Sequence, residues 1–356
     1  MKYVPGQSGA LPLMFIAMVA RLFCGMALLY PAAHNAAWLC PIVGLLLYLP
    51  FAFALQRAAA LGNNSAWGNL EPRLPRFLSA LIPILFALLL LLDASSMMDV
   101  VAATASFSIG DKAVISLELP LAVVLALMVL LGADAAGNNA RIGLYILGFL
   151  LLIIALVQIP IYRPGWITPI LGGGICSILS GALRCAGSMA LLSLIWLFAV
   201  PDRARFGPLL WGSIAALLAA ALLAGLQMLS PTFVGTELLR PARMEIILNN
   251  GRVAISLQFV YLIAWYGGLL HLISAEAVTV ACIVHRLLPG LKLWIVALAE
   301  AIAVFLLSGS ERIQACINGA ASAWLFPGTG LLMMIAMTVA CLAKGGGRRC
   351  GTSSAS

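Results

Sequence analysis

Runs of about twenty apolar residues, separated by short polar stretches, recur from one end of the chain to the other. That length in a helix crosses the ~30 Å hydrocarbon layer of a bilayer. The pattern predicts ten membrane spans, at about 10–30, 36–55, 77–107, 114–132, 142–162, 174–199, 208–229, 253–284, 293–309 and 318–342. The third and eighth exceed a perpendicular crossing, so they are expected to tilt or to project beyond the bilayer. Between them the longest polar connection, SPTFVGTELLRPARMEIILNNGR (Ser230 to Arg252), has an amphipathic middle that predicts a short interfacial helix.

Two of the spans are interrupted at matching places. The first, LPLMFIAMVARLFCGMALLYP, carries Arg21 and Gly25 near its middle, and the sixth, GGGICSILSGALRCAGSMALLSLIWLFAVP, carries Arg184 and Gly187. Polar residues and glycine at the midpoints of spans five helices apart are the pattern of discontinuous helices in a five-plus-five inverted repeat. Backbone groups released by such breaks are tolerated in lipid only against protein or a cavity. Half-helix N-termini suit a carboxylate and C-termini an ammonium, so an amino acid satisfies both. Glycine and serine also serve as close-packing residues between membrane helices, which is the competing account of each interruption. The expected organisation is one transmembrane domain at 1–342, with repeats at about 10–162 and 174–342, then a disordered cytoplasmic tail at 343–356.

Composition agrees with this pattern. Of 356 residues 63% are hydrophobic and 9% charged, and the mean hydropathy is +1.10, which identifies an integral membrane protein without a large soluble domain. The start, MKYVPGQSG, leads into a full-length span without a small-residue cleavage site, so it reads as an uncleaved first helix. Eight cysteines lie mostly within spans, without CxxC pairs or metal-ligand spacing, and read as small apolar fillers.

The net charge of +8 is dispersed between spans, so it speaks for orientation in the membrane and against a nucleic-acid partner. With the N-terminus inside, the inner segments hold Lys2, Arg57, Arg73, Arg76, Arg141, Arg203, Arg205, Arg286, Lys292, Lys344, Arg348 and Arg349, against Lys112, Arg163, Arg240, Arg243, Arg252 and Arg312 outside. This bias places both termini in the cytoplasm.

Arg21, Asp93, Asp99, Arg184 and Glu300 fall inside apolar runs, where an unpaired charge costs from a few to more than ten kcal/mol. They are expected to form an intramembrane network. Asp93 is the natural partner for Arg184 or Arg21, and the pairing expected here is with Arg184. Asp99 is the more interfacial carboxylate, and Glu300 reads either as a proton carrier or as a hydrogen-bonded packing residue. On the eighth span Gln258, Tyr261, Trp265, Gly268 and His271 share a face that either lines a pocket or packs. No phosphate-binding glycine loop, nucleophile with a base, or metal cluster is recognisable, so neither an enzyme nor a cofactor or metal is expected.

CGMALLYPAAHNAAWLCPIVG (Cys24 to Gly44) resembles the first-to-second-helix segment of the B subunits of bacterial spore nutrient-germinant receptors. GNNARIGLYILGFLLL (Gly137 to Leu152) resembles that family's glycine-to-arginine start of helix five, here Gly137 and Arg141, and WITPILGGGICSILSGAL (Trp166 to Leu183) its Pro-x-Leu-x-x-Gly run into helix six. The resemblance implies the amino acid/polyamine/organocation transporter superfamily and an all-α, leucine-transporter-like fold with broken helices 1 and 6. It further implies a nutrient sensor of the spore inner membrane that works with an A-type subunit and a lipoprotein C-type subunit. Carried over by position, the ligand pocket would involve Cys24, Gly25 and Met26 in helix one and Ala186, Gly187 and Ser188 in helix six; if the aromatic face of the eighth span lines it rather than packs, Tyr261 and Trp265 join them. This chain departs from the family in having Gly187-Ser188-Met189 where a glutamate often follows the break, and in carrying Arg21 and Arg184. An amino-acid transporter driven by protons or sodium is the alternative reading.

Overall fold

The computed structural model describes residues 11–22, 33–59, 67, 71, 74–109, 114–158, 165, 170–171, 173–199, 207–229, 245–247, 254–256, 258–310, 312–314, 328–331 and 335. Its helices are α1 (Leu11–Leu22), α2 (Leu39–Ala59), α3 (Arg76–Ile109), α4 (Glu118–Gly132), α5 (Asp134–Leu150), α6 (Ile175–Ala199), α7 (Gly207–Leu229), α8 (Gln258–Leu287) and α9 (Leu293–Ser308). The second, third, sixth, seventh and ninth predicted spans coincide with α2, α3, α6, α7 and α9 to within a few residues. Among the described residues three helical stretches are long and apolar enough to cross a membrane, Arg76–Ala102, Ile175–Ile195 and Tyr266–Leu287. Shorter apolar helices lie at Leu11–Leu22, Leu39–Phe53, Trp211–Leu222 and Leu293–Ser308 among the described residues.

α4 and α5 are two arms of one helical segment, Val114–Gln158, that turn through 117° at Gly132. The polar stretch after residue 132 predicts a loop at 133–141, but helix resumes at Asp134, so Asn138, Asn139 and Arg141 lie on α5. The direction changes at Gly132 because its φ of +82° is left-handed backbone, which L side chains rarely adopt. A second left-handed glycine, Gly174 (φ +97°), precedes α6, and its N–H closes a turn onto the Leu171 carbonyl at 2.8 Å.

Most of the connection between α7 and α8, where a short interfacial helix is expected, lies outside the described residues, and the part described is extended. Glu245–Ile247 forms an antiparallel strand pair with Ala254–Ser256, in the register Glu245 opposite Ser256. The eighth span accordingly begins at Gln258 and not at 253. Isoleucine and valine at 246, 247, 253 and 255 favour extended backbone over helix.

α6 is one continuous helix from Ile175 to Ala199, which corrects the expected break in helix six. The interruption in its sequence is a packing surface. A Cβ at Gly44 of α2 would lie 2.8 Å from Cys185 Cβ and 2.9 Å from the Ala182 carbonyl oxygen, and one at Gly330 would lie 2.5 Å from the Gly187 carbonyl oxygen. Small residues on both sides let two neighbouring backbones press against the same stretch of α6, and that requires a regular helix there. The break expected in helix one falls after Leu22, at residues outside those described.

The main core gathers side chains from α1 to α4 and α6 to α9, with Met14, Tyr48, Phe86, Met98, Met189 and Leu192 fully buried. A smaller cluster joins Leu13 and Ile16 of α1, Ala136, Ala140 and Leu147 of α5, and Ala264 and Ala275 of α8.

Candidate functional site

The central polar feature of this core is built by α1, α3 and α8. α1 approaches α8 closely where Gly268 meets Ala20, a Cβ at 268 lying 3.3 Å from that of Ala20. The next residue, Arg21, is thereby carried into the bundle in the last turn of α1. Its guanidinium Nη1 donates to Asp93 Oδ1 of α3 in a buried ion pair, the side chains being 7% and 0% exposed. Asp93 therefore pairs with Arg21, which corrects the expected Arg184–Asp93 pairing. The choice follows from the Ala20–Gly268 contact, which brings α1 rather than α6 to the carboxylate.

Glu276 of α8 completes the cluster. It is fully buried, and Asp93 and Arg21 are the charged groups that act on it. The nearest hydroxyls on its own helix are spent on backbone, Ser274 donating to Leu270 O at 2.6 Å and Thr279 to Ala275 O at 2.7 Å. Asp93 Oδ2 and both Glu276 oxygens consequently have no hydrogen-bond donor. Two carboxyls beside one guanidinium, all three buried, make a locus with an excess of acceptors.

Two further buried carboxyls lie apart from this cluster. Glu118, at the start of α4 and 3% exposed, sits with Ser308 of α9 and the half-buried Asp99 of α3. Ser308 donates to Phe305 O at 3.0 Å and lies 3.6 Å from Met98 Sδ. Glu300 of α9 is buried with neither oxygen hydrogen-bonded, and Cys282 of α8 is within its electrostatic range. Glu276 and Glu118 were legible in sequence as carboxyls inside apolar runs, LISAEAVTV and ISLELPLAV, by the same rule that singles out Asp93, yet the sequence reading passes over both.

The remaining expected site residues separate into three groups. Ala186 and Gly187 are buried in the helical packing of α6, with Ser188 and Arg184 half-buried beside them. Cys24, Gly25 and Met26 lie outside the described residues, as do the side chains of Tyr261 and Trp265 on α8. His271, on the same stripe, packs: the Gly267 carbonyl can only accept, so its 2.6 Å contact fixes a hydrogen on His271 Nδ1. The other edge of the ring fills the space left by Gly143 of α5, where a Cβ would lie 2.8 Å from Cε1 and Nε2. Elsewhere in the core, Tyr48 of α2 hydrogen-bonds Ser193 of α6 and lies 3.3 Å from Ser213 Oγ of α7. No group of three or more His, Cys, Asp or Glu side chains converges as a metal site among the described residues.

No protein-family model matches the chain, and no curated protein matches it in sequence. Among solved structures, the manganese transporter of Eremococcus coleocola, in complex with an aromatic bis-isothiourea substituted compound, is similar over 96% of this chain and 79% of that one, with a TM-score of 0.50 and 14% identity. At that identity the likeness establishes the fold alone. The chain is a multi-pass helical membrane protein whose fold is similar to that of this solved structure.

Proposed function

We propose that this protein binds a small molecule bearing an ammonium group, an amino acid first among them, where the end of α1 meets the middle of α3 and the interior of α8, and that it does so without enzymatic chemistry. The observation that supports this reading is the Arg21–Asp93–Glu276 cluster. Its unpartnered carboxyl oxygens suit the three donors of an ammonium, and Arg21 suits the carboxylate of the same ligand. Cys24, Gly25 and Met26 follow Arg21 after Leu22 and Phe23, which keeps the helix-one part of the pocket implied by the family resemblance close to the cluster in sequence. The donor set favours an organic cation over a metal ion, since the described residues bring no third His, Cys, Asp or Glu to the pair.

The role we assign is that of the nutrient-sensing subunit of a spore germinant receptor, in a leucine-transporter-like five-plus-five fold. It would lie in the spore inner membrane with both termini cytoplasmic, beside A-type and lipoprotein C-type subunits. This finer assignment rests on the sequence resemblance. A proton- or sodium-coupled amino-acid transporter is favoured instead by the fold of the manganese transporter. A thermal-shift screen of the purified protein with the common amino acids and simple amines tests the ligand. A ligand at about 100 times its dissociation constant adds roughly 2.7 kcal/mol of stability. A shift that is lost in Arg21→Gln supports the site, and no shift with any of them refutes it. Uptake of the binding compound into liposomes identifies a transporter, whereas binding without uptake identifies a sensor.

A further inference from the structure

We propose that Glu276 is a proton-binding site, its carboxyl O–H donating to Asp93 Oδ2 and tying α8 to α3. The geometry leaves one donor missing. Asp93 and Glu276 are within hydrogen-bonding reach of each other, yet Asp93 Oδ2, Glu276 Oε1 and Glu276 Oε2 are all acceptors without a donor. Asp93 Oδ1 is taken by Arg21. One proton on Glu276 supplies the O–H···O bond that both carboxyls lack, and it also settles the charge. Arg21 at +1 and Asp93 at −1 balance, so an ionised Glu276 would leave an uncompensated negative charge at a fully buried position.

Among the described residues of the elements packed on α8, α3 brings Asp93 and α1 brings Arg21 to Glu276, while the arms α4 and α5 and helices α6 and α9 bring no described charged group that acts on it. Two like charges within hydrogen-bonding reach repel, so loss of the proton turns a tie between α3 and α8 into a repulsion. The site binds H⁺ reversibly, in the step Glu276–COO⁻ + H⁺ → Glu276–COOH, and makes the α3–α8 contact sensitive to pH. A ligand ammonium would supply the same missing donors and the same balancing charge, so the protonated site is that of the ligand-free protein.

Infrared difference spectroscopy on the purified protein in nanodiscs reads the proton directly. The wild-type spectrum minus that of Glu276→Gln should contain the C=O stretch of a protonated carboxylic acid at neutral pH, shifted by deuterium exchange. Asp93→Asn gives a second measurement, because it leaves Arg21 to be balanced by an ionised Glu276 and should abolish the same band. The melting temperature of the wild type should also fall more steeply with rising pH than that of Glu276→Gln, since the folded state holds a proton that the unfolded chain releases. A wild-type spectrum without the acid band, or a band of full intensity in Asp93→Asn, overturns the proposal. A positive ligand screen beside a missing band would retain the ligand reading and sink the proton site, and the reverse pair of results would do the opposite.

Discussion

The Gly330 Cα faces the Gly187 carbonyl of α6 so closely that a Cβ added at 330 would lie 2.5 Å from that oxygen and 2.9 Å from the Leu191 amide nitrogen. Both neighbours are backbone, so neither can rotate out of the way. Gly330→Ala is expected to destabilise the protein by about 1–3 kcal/mol, the range for overpacking in a tight interior. Gly44→Ala, on the α2 side of the same helix, should act in the same direction. Melting curves in detergent decide the matter, and an unchanged transition for both variants would show that these contacts are loose.

Breaking the Arg21–Asp93 pair should be severe. Removing one partner of a buried ion pair costs about 3–5 kcal/mol, because it strands the other charge. Arg21→Gln should cost stability on that scale, Asp93→Asn less because Glu276 can ionise to balance Arg21, and the double variant should be no worse than Arg21→Gln alone. Arg184→Gln combined with Asp93→Asn should instead give additive losses. Strong coupling in the second cycle and none in the first would reverse the pairing described here.

Tyr48→Phe tests the three-helix hydroxyl contact. Ser193 donates to the Met189 carbonyl at 2.7 Å, so its oxygen is the acceptor for the Tyr48 hydroxyl. Deleting that hydroxyl should cost about 0.5–1.5 kcal/mol, and Tyr48→Phe with Ser193→Ala should cost less than the sum of the singles. Strict additivity in a melting experiment would argue that the two groups do not communicate.

The exposed pair between Glu71 and Arg286 should behave quite differently. Their N–O distance is 2.5 Å, but the side chains are 41% and 38% exposed, so the charges remain hydrated. Glu71→Gln is expected to cost between zero and about 1 kcal/mol. The difference should shrink as salt is raised, because the Debye length falls to ~3 Å at 1 M. A large, salt-independent loss would place this pair in a drier setting than its exposure indicates.

The positions of the helices were legible in the sequence because solvent dictates them: a polar residue is costly in hydrocarbon wherever the neighbours are, so hydropathy alone finds α3, α6 and α9. Pairings and bends were less legible. Gly132 and Gly187 look alike in sequence, but one takes a left-handed φ and redirects the chain, and the other lies flat in a helix opposite Gly330. Only the neighbour tells them apart. Asp93 had two arginines within plausible reach, and the contact of Ala20 with Gly268, invisible to any local pattern, selected Arg21. Glu276 is different again, since it satisfied the rule already applied to Asp93 and needed no tertiary information to be noticed.

The two-sided contact of α6 sets a limit on how this bundle can move. A helix gripped at Ala182 and Cys185 by one glycine and at Gly187 by another has no side-chain layer in which to slide, so it serves as an axle and not as a hinge. Shear between α6 and α2 would drive Gly44 into a carbonyl. Any rearrangement that opens the Arg21–Asp93–Glu276 cluster must therefore carry α2 and α6 as one body and take its freedom from α1, α3 and α8, the helices that hold the charges.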